Sequence, residues 1–330
     1  MTIILIPLSI IAAVIPMILY LLTVWLLDWF DREPLWLLGG TFLWGGLGGV
    51  GIALILQVGI SPALSTLFEP SMVEQVSAAV IAPLTEEPGK ALLLLLIYQS
   101  RHFDNASDGF VYGAAAGLGF GMTENFKYFM EGALGMDPIS WMMMVVVRTL
   151  CSAVMHALCT SIVGVSIGFA KQKGPVYFFG LGTVGLLVAM GIHGLWNGIL
   201  VIERLPISED QRLLLDVGIL AIEVFLGLCL FFGLLIAERR NIRRFLLEEV
   251  KNGTLSHDMI DKTLSLFERI QGSSWLPNVA PKRYTLNLIT TLGLRLSQLE
   301  KSNGPSRKFF DREVRRIREE LASIFQSHHV

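Results

Sequence analysis

Charge is scarce in this sequence. Only 16% of its 330 residues are Asp, Glu, Lys or Arg, while 53% are hydrophobic, against roughly 25% charged in soluble proteins. That balance excludes a wholly soluble protein, and no nucleic-acid partner is expected. The charge present is unevenly placed. Residues 1–237 hold 9 Lys/Arg against 17 Asp/Glu, a net of −8; residues 238–330 hold 17 against 11, a net of +6. An apolar body, 1–237, and a basic, water-soluble tail, 238–330, are the expected domains.

Cysteine is nearly absent too. Cys151, Cys159 and Cys229 all lie inside apolar runs, which excludes a disulfide framework and fits no metal spacing. They read as packing residues. No HExxH signature occurs, and no serine or cysteine nucleophile stands beside a base; Cys159 follows His156 by three, but no third member completes a triad. The first apolar run has no basic leader and no small-residue cleavage site, so it reads as a retained membrane helix.

Long apolar runs dominate. Seven segments reach the roughly 20 residues needed to span about 30 Å of hydrocarbon: about 3–27, 35–60, 75–98, 109–130, 139–170, 176–201 and 213–237. Lipid leaves helices as the reasonable form. The expected fold is all-α: a polytopic membrane bundle of about seven transmembrane helices with a helical soluble tail. In that tail "MIDKTLSLFERI" and "REVRRIREELASIF" have amphipathic helical spacing, interrupted by Pro277, Pro281, Gly304 and Pro305. Gly45/Gly49, Gly113/Gly117/Gly121 and Gly194/Gly198 predict close helix packing.

Basic residues set orientation. With the tail inside, the inner joints hold Arg32, Arg101, Lys171, Lys173, Arg239, Arg240, Arg243 and Arg244. The outer joints hold Arg204 and Arg212, with Lys127 near a helix end. The N-terminus is therefore expected outside and the C-terminus in the cytoplasm.

A few strongly polar residues interrupt the apolar runs: Glu86, Glu87 and Lys90; Glu124 and Asn125; Arg148 and His156; His193 and Asn197; Glu223. Ionisable groups in lipid are costly, about 2.5–3.5 kcal/mol each on the translocon scale, and mark function by default. Depth estimates put Glu86, Glu124, His156 and His193 at compatible levels, in the outer half of the membrane or near its midplane. Glu86 and Lys90 share a face at i,i+4, and so do His193 and Asn197. Thr85 is a candidate cap for a helix starting at Glu86, with Pro88 in its first turn.

Such a set suits activation of a water for hydrolysis: a carboxylate as general base or acid, imidazoles and an amide as donors to an oxyanion. Lys90 reads as a counter-charge to the glutamates, Arg148 as a structural counter-charge, and Asn125 as a residue orienting Glu124. No cofactor is certain. In a metal-dependent version Glu124, His156 and His193 form a two-histidine, one-carboxylate set suited to one divalent ion such as zinc, leaving Glu86 or Glu87 as base. An ion-coupled transporter also uses intramembrane Glu and His chains, but no inverted repeat is visible.

"EEPGK" at Glu86–Lys90, "FGMTEN" at Phe120–Asn125, the Arg148–His156 pair and "HGLWN" at His193–Asn197 together resemble the motifs of PrsW-type intramembrane proteases. "DGFVYG" at Asp108–Gly113 is similar to their approach to the second motif. The resemblance covers roughly residues 80–200. In the related CAAX prenyl proteases the second motif carries a histidine; here Glu124 stands there, as in PrsW. The wider superfamily also contains a non-catalytic scaffold subunit. The resemblance implies an endopeptidase of the bacterial plasma membrane that cuts a membrane-anchored protein such as an anti-sigma factor. By the match, Glu86 and Glu87 include the base, Glu124 and His156 complete the water-activating site, and His193 with Asn197 stabilises the oxyanion. The tail lies outside these motifs.

Overall fold

The computed structural model describes residues 2–100, 102–171, 173–201, 208–271, 276, 282–302 and 304–326. Arg101, Arg204, Pro277 and Pro281, named above, lie outside them. Among the described residues there is no strand. The apolar runs form seven long helices: α1 (Thr2–Leu27), α2 (Leu35–Leu67), α3 (70–97), α4 (Ala106–Gly135), α5 (Pro138–Ala170), α6 (Pro175–Val201) and α7 (Glu209–Lys251). Four shorter helices follow: α8 (His257–Thr263), α9 (Leu266–Gln271), α10 (Lys282–Lys301) and α11 (Gly304–Gln326). Five of the long helices, α1, α2, α5, α6 and α7, are long and apolar enough to cross a membrane. The other two, α3 and α4, carry Glu86, Glu87 and Glu124 of the polar set. The chain folds as an all-α polytopic bundle.

Two compact units divide the chain. One comprises residues 1–28 and 33–231, the other residues 29–32 and 232–330. In the first, apolar side chains such as Ile3, Ile11, Leu19, Ile55 and Leu187 stand exposed on the helices, as lipid-facing positions should. The buried side of α1 is a stripe at every fourth residue: Leu5, Ser9, Ala13, Met17 and Leu21. The Ser9 hydroxyl donates to the Phe129 carbonyl of α4, so α1 docks on α4.

Helix α4 is the centre of this unit. It opens on a capping box: Asn105 Oδ1 accepts from Ser107 N at 2.6 Å, and Asp108 Oδ2 accepts from Asn105 N at 3.1 Å. Small residues then let α5 lie against its backbone. A Cβ at Gly117 would stand 2.2 Å from the His156 carbonyl oxygen, and one at Gly109 2.1 Å from that of Gly164. These contacts fix the height at which His156 faces α4.

Three helices widen into a π-helical stretch, at Trp44–Gly49 in α2, Ser77–Ile81 in α3 and Arg148–Ser152 in α5. Such bulges rotate the side chains beyond them and recur at functional sites. The stretch in α3 corrects one expectation. No helix starts at Glu86, because α3 runs on through the bulge, and the Thr85 hydroxyl donates to the Ile81 carbonyl at 2.8 Å instead of capping.

The second unit has its own core, in which Ile242, Phe245, Leu246, Ile260, Ile289, Leu292, Ile317 and Leu321 are buried. Phe30, from the link between α1 and α2, is buried among them. Arg269 donates to the Trp29 carbonyl at 3.0 Å and lies over the Phe30 ring. Buried Glu249 is held by a fork of Arg318, with Nη2 to Oε1 at 2.5 Å. The stretch "MIDKTLSLFERI" is not one helix: it breaks at Leu264 and Ser265, between α8 and α9. In turn, α7 continues past the expected end at 237 to Lys251, because no Gly or Pro interrupts residues 234–251.

Candidate active site

Four consecutive helices of the first unit bring ionisable side chains to one buried cluster. Helix α3 supplies Glu86, Glu87 and Lys90, α4 supplies Glu124, α5 supplies Arg148 and His156, and α6 supplies His193. Lys90, Glu87, His156 and His193 are buried, with Lys90 and Glu87 at 0% exposure.

Lys90 lies at the middle. Its Nζ is 2.7 Å from Glu87 Oε1, 2.8 Å from His156 Nδ1 and 3.6 Å from Glu86 Oε2. The ammonium also sits 4.0 Å from the centre of the Phe120 ring, a cation–π contact in a dry setting. Glu87 is shared: Oε1 also meets His193 Nδ1 at 2.8 Å, and Oε2 accepts from the Thr160 hydroxyl at 3.5 Å. With Nδ1–H donated to that carboxylate, His193 keeps a lone pair on Nε2, which lies 3.8 Å from Glu86 Oε2.

A second carboxylate–imidazole pair mirrors the first. His156 Nε2 meets Glu124 Oε2 at 2.8 Å, and Arg148 Nη2 donates to the same oxygen at 2.8 Å. Arg148 Nε donates to Asn125 Oδ1 at 3.0 Å, and the guanidinium lies 3.7 Å from the Tyr128 ring centre. The two imidazole rings stand perpendicular, 5.1 Å apart. Glu124 is the acid most open to the outside, with 23% of its side chain exposed.

Asn197 is not part of this cluster. Its amide donates to the Ala78 carbonyl at 3.0 Å, tying α6 to the π-helical stretch of α3. Glu223 is also apart: it is buried on α7, and neither carboxylate oxygen has a hydrogen-bond partner. Sequence reasoning passed over Thr160 and Gln57, and gave Phe120 no role of its own. Gln57 Nε2 donates to Thr85 Oγ1 at 3.1 Å and to Glu86 Oε1 at 3.4 Å. An amide within an otherwise apolar run was the available signal for it.

The donor set fits a divalent metal. Glu86, His156 and His193 each offer one ligand atom within 4.8 Å of the others, all buried. Glu86 Oε2 accepts no hydrogen bond, so it is an orphan acceptor that a cation would satisfy. In this group Glu86 stands where the sequence reading has Glu124. Glu124 and Glu87 stand behind the histidines, each fixing one ring, as carboxylates do at histidine metal sites.

Comparison with known proteins agrees with the motifs. Residues 33–231 match the model of the "PrsW family intramembrane metalloprotease". Protease PrsW of Oceanobacillus iheyensis is 30% identical over 169 residues, 51% of this chain and 72% of that protein. Protease PrsW of Geobacillus kaustophilus is 28% identical over 197 residues, 58% of this chain and 80% of that protein. For Protease PrsW of Bacillus subtilis the figures are 33% over 112 residues, 33% and 46%. No solved structure matches. With its motifs on four adjoining helices and 33–231 matched to the family model, the chain is an integral membrane protein belonging to the PrsW family of intramembrane proteases.

Proposed function

We propose that this protein hydrolyses a peptide bond of a membrane-anchored protein by attack of a water held in the Glu86–His193 cluster. The observation that supports this most is the orphan oxygen of Glu86 facing the free Nε2 of His193, 3.8 Å apart. A water there finds an acceptor on each side. Glu86 takes the water proton as the oxygen attacks the scissile carbonyl, then passes it to the leaving amine. The Nε2–H of His156, held by Glu124 at 2.8 Å, is the proposed donor to the oxyanion. Glu87 and Glu124 keep the two rings in their tautomers and orientations, and Arg148 holds Glu124 in place.

Glu86, His156 and His193 are the residues that would hold a metal. A divalent ion such as zinc would supply Lewis acidity and a more acidic bound water. Glu124 then remains as the carboxylate free of the ligand set that can take the proton.

The bias of basic residues at the helix joints supports a topology with the N-terminus outside and the second unit in the cytoplasm of a bacterial plasma membrane, and on that topology an extracytoplasmic anti-sigma-type regulator is the proposed class of substrate. The body and the tail divide near residue 237 in this reading, with hydrolysis assigned to the body. Purified protein should cleave a single-span peptide reconstituted with it, and Glu86→Gln should lower the rate by roughly 10²–10⁴. Equal cleavage by wild type and Glu86→Gln would refute the assignment.

A further inference from the structure

His156 has no lone pair to offer a metal while Lys90 holds it. An ammonium carries donors only. Glu87 at 2.7 Å and Glu86 at 3.6 Å make the Lys90 nitrogen an ammonium here, so its 2.8 Å contact makes Nδ1 of His156 the acceptor. The neutral ring then carries its proton on Nε2, where it is donated to Glu124. A metal ligand must present a lone pair. On Nδ1 the pair is engaged by Lys90, and on Nε2 a proton occupies its place. The conclusion is the same whichever nitrogen would bind.

We propose that Lys90 is a tethered cation that competes with a divalent metal ion for His156, giving the centre two exclusive states, one held by lysine and one held by metal. The proposal deepens the reading above and rests on its ligand set. Two further observations support it. Lys90 reaches Glu86 as well as His156, two of the three ligands, so a metal would meet the ammonium at both. Two cations this close repel strongly in a buried site. Lys90 also has somewhere to remain when it lets go of His156: Glu87 and the Phe120 ring keep the ammonium satisfied without the imidazole. The lysine therefore weakens metal binding while keeping the apo centre neutralised and packed.

The test uses the full chain in detergent micelles, stripped with a chelator. Zinc affinity is read by competition with a chromogenic chelator, and cobalt binding by its visible absorption bands. Lys90→Met should bind zinc roughly ten to a hundred times more tightly than wild type, the worth of one charged hydrogen bond. Lys90→Gln, which keeps a neutral polar group at this position, should shift in the same direction by less. Glu223→Gln, away from the centre, should match wild type. Folded Lys90 variants with unchanged or weaker affinity would overturn the proposal, as would absence of zinc and cobalt binding in wild type and both variants. Affinity is read without substrate. A failed lysine effect is thus separable from a failed protease reading, which cleavage by Glu86→Gln decides.

Discussion

His193 Nδ1 meets Glu87 Oε1 at 2.8 Å across 106 residues of sequence. That oxygen also receives Lys90, so one carboxylate atom joins α3 to α6 and fixes an imidazole tautomer. Glu87→Gln replaces a two-way acceptor with an amide that satisfies only one partner. Activity should fall roughly 10–100-fold, and metal affinity, where a metal is bound, should fall by a comparable factor. Steady-state cleavage and metal content on the same preparation check this.

In the proposed mechanism Arg148 acts through Glu124. Arg148→Met removes the donor at 2.8 Å and leaves Glu124 free to rotate off His156. The expected result is a lower kcat with KM little changed. Arg148→Lys should recover part of the loss through charge alone, since lysine lacks the fork that reaches both Glu124 and Asn125. A loss in KM alone would place Arg148 against substrate instead.

Glu223 contributes nothing visible to the fold. It is 3% exposed and its oxygens are unpartnered, so its carboxyl is a cost. Glu223→Leu should raise the thermal midpoint of the detergent-solubilised protein, by an equivalent of about 1–3 kcal/mol, without changing cleavage. A fall in the midpoint would show a partner for this group.

At Gly117 the packing of α4 on α5 tolerates no side chain beyond glycine. Gly117→Val puts atoms on the His156 carbonyl oxygen, 2.2 Å from the Cβ position. The α4–α5 contact must open, carrying His156 off the centre. Loss of a monodisperse species on size exclusion, together with loss of activity, is expected. Gly135→Ala, where a Cβ meets nothing, should be silent in both.

In the second unit Arg318→Ala leaves Glu249 buried without its counter-ion. Breaking a fully buried pair costs about 3–5 kcal/mol. Arg318 is 40% exposed, so water will relieve part of that. About 1–3 kcal/mol of lost stability is expected, read from protease sensitivity of the tail in the full-length protein.

The helices were legible because seven apolar runs separated by turn residues leave lipid-embedded chain few choices. The cluster was legible because depth could be counted: residues at one level on neighbouring helices can meet. Azimuth could not be counted. His193 and Asn197 share a face by spacing, yet α6 turns its histidine to Glu87 and its amide to Ala78. The same limit left open which glutamate lies within reach of both histidines as a third donor. A π-helical stretch two turns before Glu86 rotates everything after it, and no residue pattern in "SAAVI" announces one. Phe30 was unreadable for a different reason. A lone aromatic in a short polar joint carries no period, and its partners lie more than 200 residues away.

Phe30 gives the tail a second tether. The peptide between α1 and α2 leaves the first unit at Asp28, contributes an aromatic to the second, and returns at Glu33. The tail is thus joined to the body once by the continuous helix α7 and again by a loop threaded into its core. A nick after Phe231 would not set it loose, since the remaining link keeps the effective concentration high. Truncation before Arg240 would strip the cover from Phe30 and expose its ring. Shortened forms of this protein should therefore be compared with a Phe30→Ser companion, so that a newly sticky loop is not mistaken for the loss of a regulatory domain.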